Sequence, residues 1–509
     1  ACVNHLHGMF AFAIYDRVQD RVFLARDRAG EKPLFYSLVK GELRFASELK
    51  ALTSDSNFPR HLDRRAFDCY LSMGYIPGDL CILEGVNKLP PAHTLSFNLK
   101  DGSFDILRYW QLPDLASGAA EHCEDDLLEE LEILLESSVQ RQLVADVPVS
   151  LLLSGGVDSS LITALAARNG GRLKTFTVGF AGHADYDESA HAQLIAQHFD
   201  TDHTLLEADN VTPEIMSLLA RQYDEPIADS SMIPTFLVSQ QIGQHCKVAL
   251  GGDGGDELFA GYRRYQILNN AKYFKFLPGH LSSLLRLGGK NGHRASRMYD
   301  AITQSDPAMR MALLLTVETL KDNPNKLLNQ NKREHLNFST DPFLAYKNAC
   351  TRFNVQDPIQ QMLLTDITVQ LPSQFLTKVD RSTMAAGIEA RVPLLDENIA
   401  KIAVGMSSEW KVNKNQNKII LRDSQRGRLP SSILDGPKTG FGVPYEYWLK
   451  TSLYDFAQER LLDNKFIENF GFNSSLIETK LKNHKSGKAE HGFMLWKLLQ
   501  IALWVETRD

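Results

Sequence analysis

The sequence lacks the features that would place it among nucleic-acid-binding or membrane-spanning proteins. Its 509 residues carry a formal net charge of -7, without the basic excess typical of nucleic-acid binders. No uninterrupted apolar run approaches the ~18 residues of a membrane helix. No secretory signal is recognisable either. We therefore expect no nucleic-acid partner and no membrane span.

Cysteine is scarce and has no paired spacing. In a chain of this length, scattered cysteines predict reduced thiols in a cytoplasmic protein rather than a disulfide framework or a zinc site. Most of them fit as small buried hydrophobic side chains. The six residues are Cys2, Cys69, Cys81, Cys123, Cys246 and Cys350.

The first hundred residues are predicted to be β-rich. Short apolar segments alternate with turn-like residues, which favours antiparallel hairpins over βαβ units. The predicted strands cover residues 9–15, 21–25, 33–39 and 42–46.

The pattern changes after a small-residue linker at 116–120. Leucines recur at helical spacing from Leu127 to Leu143. An apolar strand at 148–153, a helix and a second strand at 173–180 then form a βαβ unit, which implies a parallel sheet. A further strand is expected at 247–250. Beyond residue 265 the sequence is mostly helical, and the fold class predicted overall is α/β.

The most informative stretch is LLLSGGVDSS, residues 151–160. A strand followed by two glycines and a helix start points backbone N–H groups at one spot, where an anion binds. It lacks the lysine of a Walker A loop. Asp158 beside a phosphate would be repulsive without a bridging cation, so it implies a Mg²⁺-bound polyphosphate. The alternative is a plain glycine turn with Asp158 as a helix cap.

Two further loops carry glycine beside charged residues. LGGDGGDELFAGY, residues 250–262, also follows a strand, and Asp256 is placed to share the metal ion with Asp158. The alternative interpretation of residues 250–262 is a solvated glycine loop. GPKTGFGVP, residues 436–444, offers Lys438 to a phosphoryl group. Taken alone, Lys438 fits a solvated surface lysine better.

The chain resembles the glutamine-hydrolysing asparagine synthetases, a family of class II glutamine amidotransferases. The resemblance runs in order over essentially the whole chain. It rests on LLLSGGVDSS, YDESAHA, GGDGGDELFAGY, KVDRSTMAAGIEARVPLLD and PKTGFGVP, and in the first part on HGMFAFAIYD, ARDRAGEKPLFYS and FASELKAL.

The resemblance implies two domains. Residues 1–115 would be part of an N-terminal-nucleophile (Ntn) hydrolase type glutaminase domain. Residues 120–509 would be an ATP-pyrophosphatase domain with a parallel sheet and a helical C-terminal part. ATP and Mg²⁺ are the implied cofactors, and aspartate with glutamine or ammonia the implied substrates. A homodimer is left open.

The resemblance also assigns roles to individual residues. The implied catalytic residues are Asp256, Glu257 and Lys438. The implied metal ligands are Asp158 and Asp256. The implied ATP-binding residues are Leu153, Ser154, Gly155, Gly156, Asp158, Ser159, Ser160, Val178, Gly251 and Gly252. The implied substrate-binding residues are Asp229, Ser230, Ser231, Asp253, Glu389 and Arg391, although Glu389 and Arg391 fit a structural ion pair equally well.

The chain departs from the family pattern at several positions. Gly251 stands where the family often has serine, which removes a side-chain contact to the nucleotide. Asp253 stands where some members have glutamate, and the shorter carboxylate would shift substrate choice.

The first residues do not match the nucleophile segment of the family. Cys2 resembles a residue inside the glutaminase domain rather than the catalytic cysteine. We therefore expect a truncated chain without glutaminase activity, either a fragment or a natural ammonia-dependent protein.

The expected reaction converts L-aspartate, ATP and glutamine or ammonia into L-asparagine, AMP and diphosphate through a β-aspartyl-adenylate. The first alternative is a family amidotransferase acting on another carboxylate, such as a sugar acid or a peptide-like metabolite. An intramolecular amide former of the β-lactam synthetase kind is a further one. A non-catalytic nucleotide-binding scaffold is the alternative from a different class, and Asp158, Asp256 and Lys438 argue against it.

Overall fold

The computed structural model describes most of the chain, and the statements below concern that part. The described residues are 2–39, 41–113, 123–168, 172–179, 187–207, 211–270, 285, 289–315, 324–329, 341–353, 355–436 and 442–508. The predicted linker at 116–120 lies outside them, as does Lys438.

The first part of the chain forms two antiparallel sheets. The first sheet has the order β1-β2-β6-β7 and the second the order β4-β3-β5. The predicted hairpins are confirmed, since β1 pairs antiparallel with β2 and β3 with β4. The strands are β1 Ala11–Asp16, β2 Arg21–Arg26, β3 Phe35–Val39, β4 Glu42–Ala46, β5 Val86–Lys88, β6 His93–Asn98 and β7 Phe104–Arg108.

A small apolar core lies between these two sheets. Leu24 of β2 and Leu95 of β6 are fully buried against Tyr36 of β3. Because side chains alternate across a strand, each sheet contributes every second residue to this core. The apolar segments that predicted the strands therefore contain the residues of this buried face.

The second part is built on a parallel sheet of five strands in the order β10-β9-β8-β11-β12. All its neighbours pair in parallel. The predicted α/β fold with a parallel sheet is therefore confirmed. The strands are β8 Val149–Leu152, β9 Lys174–Gly179, β10 Asp202–Glu207, β11 Val248–Leu250 and β12 Glu389–Arg391.

Helices cover the parallel sheet and continue to the end of the described chain, as the sequence predicted beyond residue 265. A π-helical segment, Asp366–Phe375, interrupts them. The α-helices are α1 Leu49–Leu52, α2 Arg64–Met73, α3 Glu124–Leu143, α4 Val157–Ala167, α5 Ser189–His198, α6 Pro213–Gln222, α7 Met232–Ile242, α8 Gly255–Leu258, α9 Arg263–Asn270, α10 Gly289–Thr303, α11 Pro307–Leu315, α12 Leu344–Arg352, α13 Pro358–Thr365, α14 Leu376–Ala385, α15 Glu397–Gly405, α16 Ile419–Asp423, α17 Ser431–Leu434, α18 Tyr445–Trp448, α19 Tyr454–Leu461, α20 Asn464–Phe470, α21 Ser474–Lys485 and α22 Gly492–Glu506. Short 3-10 turns lie at Cys2–His5, Pro324–Leu327, Pro393–Leu395 and Ser408–Trp410.

Helix ends follow ordinary capping chemistry. Asp63 accepts hydrogen bonds from the N–H groups of Arg65 and Ala66 at the start of α2, and Gly74 ends that helix with a φ of 85°. Glycine is required there because a left-handed backbone strains other residues.

The first part of the chain shares its largest core with the last helices. The hydroxyl of Tyr70 in α2 donates to the carbonyl of Lys497 in α22 at 2.7 Å, and the Lys497 ammonium donates to the carbonyl of Leu71 at 2.7 Å. The rings of Phe67 and Phe470 lie 5.2 Å apart. One continuous hydrophobic cluster therefore joins α2 to the C-terminal helices. None of the described helices is long and apolar enough to cross a membrane.

Candidate active site

A cleft lies at the carboxyl end of the parallel sheet. Strand β8 continues through β9 to β10 on one side, while β11 pairs with β8 on the other. The strand order therefore reverses between the parallel neighbours β8 and β11, which is where open α/β sheets bind ligands. The cleft has a volume of about 460 Å³, and the two glycine loops that follow β8 and β11 line it.

The loop after β8 forms a tight cradle of polar groups. Gly155 has a φ of 78°, and a side chain there would lie 2.6 Å from the backbone N of Ala192. The hydroxyl of Ser159 accepts from the Ser154 N–H at 3.2 Å and lies 3.0 Å from the Ser154 hydroxyl. Helix α4 begins directly after Gly156. Its N-terminus faces the cleft and favours an anion.

The loop after β11 packs directly against this cradle. A Cβ atom at Gly252 would lie 2.8 Å from the backbone N of Ser159, and one at Gly255 would lie 2.4 Å from Oδ1 of Asp158. Only glycine allows this approach, so the two glycine-rich motifs act as complementary surfaces. The approach brings the carboxylates of Asp158 and Asp256 to the same side of the cleft.

Lys418 joins these two carboxylates, and the sequence interpretation missed it. Its ammonium forms an ion pair with Asp158 and lies 2.5 Å from Oδ1 of Asp256. The Lys418 side chain is only 3% exposed. The backbone of Lys418 is left-handed, with a φ of 56°, a conformation that is uncommon for residues other than glycine. No glycine-rich motif surrounds Lys418 in the sequence, so only the tertiary structure shows that it lies in this cleft.

Glu257 lies buried beside this charged cluster. Burial, and next the nearby charge of Asp256, raise its pKa to about 7. The hydroxyl of Tyr262 donates a hydrogen bond to Glu257. A carboxyl group that titrates near neutrality is suited to exchange a proton during a reaction.

Asp253 lies on the same loop and also has a perturbed carboxyl group. Burial raises its pKa, and the charge of Lys378 acts against that increase. A Cβ atom at Gly251 would lie 2.9 Å from Oδ2 of Asp253. Any side chain at position 251 would therefore require this carboxylate to move.

The cleft gathers most of the site residues predicted from the sequence. Those that line it are Leu153, Ser154, Gly155, Gly156, Asp158, Ser159, Val178, Asp229, Ser231, Gly251, Gly252, Asp253, Asp256 and Glu257. Residues that line it but were not proposed include Tyr262, Gln374, Phe375, Lys378, Lys418 and Arg422. The sequence did offer a signal for two of these residues. Lys378 begins the motif KVDRSTMAAGIEARVPLLD and Tyr262 ends the motif GGDGGDELFAGY, and both motifs carry the family resemblance.

Four predicted residues do not line this cleft. Ser160 is fully buried, and Ser230 is not among the lining residues. Arg391 donates to the carbonyls of Gln142 and Val144 at 2.6 and 2.7 Å and to Glu389 at 2.7 Å. Glu389 and Arg391 form an ion pair, and Arg391 also binds the end of α3. Lys438 lies outside the described residues.

The donor set fits a magnesium–nucleotide complex. Mg²⁺ prefers one or two carboxylates together with phosphate oxygens, and Asp158 and Asp256 supply the two carboxylates. No group of three or more His, Cys, Asp or Glu among the described residues is arranged to hold a metal ion by itself. Two carboxylates would leave the other coordination positions of a Mg²⁺ ion to phosphate oxygens and water. Next to it the Ser154–Ser159 cradle supplies donors for phosphate oxygens.

This combination defines an α/β protein with a switch-point site for a polyanionic ligand. Comparison with protein families then makes the assignment specific. The asparagine synthase family model matches residues 130–506, and the glutamine amidotransferase domain model matches residues 1–110. The chain belongs to the asparagine synthase family.

Individual relatives agree with this membership. A Mycobacterium tuberculosis protein whose name places it with the glutamine-hydrolysing asparagine synthetases is 30% identical, over 99% of this chain and 77% of that protein. Asparagine synthetase [glutamine-hydrolyzing] 1 of Bacillus subtilis is 28% identical, over 98% of this chain and 78% of that protein. The amidase chyE of Penicillium rubens is 30% identical, over 92% of this chain and 74% of that protein.

Proposed function

We propose that this chain makes L-asparagine from L-aspartate, ATP and ammonia or glutamine, releasing AMP and diphosphate. Family membership supports ATP-dependent amide synthesis by a ligase in general. The observation that carries the proposal is the convergence of Asp158, Asp256 and Lys418 between the two glycine loops. We further propose a cytoplasmic protein and leave a homodimer open.

The domain roles are part of the same proposal. Residues 120–509 form the ATP-pyrophosphatase domain. Residues 1–115, whose two antiparallel sheets face one apolar core, correspond to an Ntn hydrolase type glutaminase fold. The support for this division is the position of the two family matches.

In the first chemical step a side-chain carboxylate oxygen of aspartate attacks the α-phosphorus of ATP. The bond between the α-phosphorus and the bridging oxygen breaks, and diphosphate leaves with the electron pair. The hydroxyl groups of Ser154 and Ser159 and the N-terminus of α4 would hold the departing phosphates. Lys418 neutralises the charge that develops there, and Lys438 is the second candidate for that role. Mg²⁺, held by Asp158 and Asp256, would add charge neutralisation when bound.

In the second step ammonia attacks the acyl carbon of the β-aspartyl-adenylate, and AMP leaves. The nitrogen must lose a proton as the amide forms. Glu257, whose pKa is raised to about 7, is suited to accept it at neutral pH. The buried cleft keeps water away from the reactive acyl group.

The decisive experiment measures AMP, diphosphate and asparagine from the full chain with Mg-ATP and L-aspartate. Ammonium and glutamine are compared as nitrogen donors, and other carboxylates replace aspartate in parallel reactions. We expect asparagine and AMP in equal amounts with ammonium. Folded protein that binds ATP but releases AMP only with another carboxylate would contradict the aspartate assignment and favour a different family amidotransferase.

A further inference from the structure

Lys418 ends a short hairpin, residues 411–418, which we call the strap. Val412 and Asn417 pair as an antiparallel β-bridge that closes it. The first N–H of α16 then donates to the carbonyl of Lys411 at 3.1 Å. The chain therefore returns to the base of the strap before it enters α16, and Lys418 leaves the strap at a defined point.

A buried lysine attaches the base of the strap to the helices. The Lys411 side chain is fully buried, and its ammonium donates to the carbonyl of Met406 at 2.9 Å and to Oε1 of Gln360 at 3.2 Å. The Gln360 amide donates to the same Met406 carbonyl at 2.7 Å. Because Gln360 lies in α13 and Met406 directly follows α15, two helices hold this end of the strap.

The side-chain amide of Asn417 holds the other end. Its Nδ2 donates to the carbonyls of Gly261 and Tyr262 at 2.8 and 2.9 Å, which uses both hydrogens of the amide. The backbone carbonyl of Asn417 accepts from Nε of Arg422 at 2.8 Å. Asn417 is 6% exposed. It therefore joins the strap to the second glycine loop on one side and to α16 on the other.

The amide of Asn417 binds the loop at the point where Asp256 and Lys418 meet. A Cβ atom at Gly261 would lie 2.0 Å from Oδ1 of Asp256 and 2.1 Å from Cε of Lys418. The backbone of Gly261 therefore contacts both charged side chains, and Asn417 binds its carbonyl. This hydrogen bond fixes the spacing between the strap and the loop that carries Asp256.

Lys418 needs such an anchor for two physical reasons. A lysine side chain has four rotatable carbons, so the position of its ammonium is defined only when its backbone is fixed. The left-handed backbone of Lys418, with a φ of 56°, also persists only where the surrounding structure holds it. Asn417 is the residue directly before Lys418, and its three hydrogen bonds provide that constraint.

We propose that Asn417 is a positioning residue, which places the Lys418 ammonium against Asp158 and Asp256 for reaction without itself touching a substrate. Asn417 is not among the described residues that line the cleft. This inference rests on the proposed function, because it requires Lys418 to act on the departing phosphate. It deepens that function by assigning the precision of Lys418 to one amide outside the cleft.

Steady-state kinetics of the full chain with Mg-ATP, L-aspartate and ammonium separate positioning from substrate binding. Asn417→Ala should lower kcat for AMP release about 10- to 100-fold, because small displacements at a reacting centre are that costly. The KM values for Mg-ATP and L-aspartate should stay within about twofold of wild type, since Asn417 contacts neither. An unchanged kcat, or a KM that rises as much as kcat falls, would overturn the proposal.

A double-mutant cycle tests whether Asn417 acts through Lys418. The variant with both Asn417→Ala and Lys418→Met should have a kcat no lower than that of Lys418→Met alone. Losses that multiply would show that the two residues act independently, which contradicts positioning. If Asn417→Ala does not fold, Asn417→Ser, whose hydroxyl keeps one donor, replaces it in the same cycle.

Asn413→Ala is the matched control within the strap. Oδ1 of Asn413 accepts from the N–H groups of Asn415 and Gln416, each at 2.8 Å, at the exposed turn. This variant loses side-chain hydrogen bonds to the strap but none to the glycine loop, so its kcat should stay within about twofold of wild type. A loss as large as that of Asn417→Ala would show only that the strap must be stable, and would overturn the specific role of Asn417.

Urea unfolding of the free protein separates failure of this inference from failure of the proposed reaction. Asn417→Ala should shift the folding equilibrium about 3- to 100-fold less in the Lys418→Met background than in the wild-type background. Asn413→Ala should have the same effect in both backgrounds. If this coupling is found while the wild-type chain forms no AMP from L-aspartate, Asn417 still positions Lys418 and the proposed reaction is wrong. Equal effects of Asn417→Ala in both backgrounds would overturn the inference whatever the reaction.

Discussion

The ammonium of Lys418 lies 2.5 Å from Oδ1 of Asp256, and the same ammonium pairs with Asp158. Two carboxylates brought together in a low-exposure cleft repel each other unless a cation lies between them. Lys418 supplies that cation in the protein itself. The same two carboxylates are the metal ligands of the proposed reaction, so Lys418 and a bound Mg²⁺ would act on one charge cluster.

We expect Lys418→Met to abolish most synthesis and to destabilise the free protein. Removing one partner of a buried ion pair costs about 3–5 kcal/mol. Losing a charge that stabilises the departing phosphate lowers kcat about 100-fold or more. Urea unfolding measures the first effect, and AMP release with Mg-ATP and L-aspartate the second. Magnesium should raise the thermal stability of Lys418→Met more than that of the wild-type protein.

Lys414→Met is the matched control, since Lys414 is exposed in the same loop. It should change neither stability nor activity measurably. Full activity in Lys418→Met would show that the ion pairs with Asp158 and Asp256 have no part in catalysis.

The charged groups of Asp256 and Lys418 leave no room for a side chain at Gly261. A Cβ atom there would lie 2.0 Å from Oδ1 of Asp256 and 2.1 Å from Cε of Lys418. Gly261→Ala should therefore separate the two groups and lower AMP release about 100-fold, because small displacements at a reacting centre are that costly. Gly405→Ala is the control, since no atom lies within 4 Å of a Cβ atom there. Equal activity in both variants would refute the tight arrangement.

The raised pKa of Glu257 predicts how the stability of the protein depends on pH. Its pKa rises from 4.5 to about 7 on folding, chiefly through burial and secondly through the charge of Asp256. Between these values the folded state holds more protons than the unfolded state, so stability falls as pH increases and the cost is complete above pH 7.

Glu257→Gln removes this titration. The variant should gain on the order of 3 kcal/mol relative to the wild-type protein at about pH 8 and little at about pH 4. Urea unfolding of the free protein across that range is the measurement. Glu409→Gln, at an exposed position, is the control. An identical slope for Glu257→Gln and the wild-type protein would contradict a buried carboxyl group with a raised pKa.

Asp224 links the first part of the chain to the helices of the second. Its carboxylate lies 3.0 Å from the guanidinium of Arg381 and accepts from the N–H groups of Leu49 and Lys50 at 3.0 and 3.1 Å. Asp224→Asn keeps the shape and tolerates the left-handed backbone, with a φ of 61°, but leaves Arg381 poorly paired.

We expect Asp224→Asn to lower the free energy of unfolding by about 3–5 kcal/mol. Hydrogen exchange at Leu49 and Lys50 should accelerate, because their acceptor weakens. Asp423→Asn is the comparison, since Asp423 forms a partly exposed pair with Arg426 and should cost at most about 1 kcal/mol. A similar cost for both variants would show that the Asp224–Arg381 contact is no stronger than a surface pair.

Much of the fold was predictable from local sequence. The hairpins β1–β2 and β3–β4, the helix from Glu124 and the parallel strands β8, β9 and β11 were each expected within a few residues of their observed bounds, whereas the parallel strands β10 and β12 were not expected. Hydrophobic alternation and helical spacing report which face of an element is buried, and that information is local. The π-helical segment Asp366–Phe375, which contains Pro372, was not expected from the sequence.

The sequence by itself determined the two glycine loops, because glycine and serine directly after a strand favour a tight turn that exposes backbone N–H groups. Only the tertiary structure decided which distant residues complete the site. Lys418 and Lys378 reach it from segments with no phosphate motif, and Arg391 turns away to bind the carbonyls of Gln142 and Val144. The physical reason is that a charged side chain takes its role from the charges packed around it, and those neighbours come from separate parts of the chain.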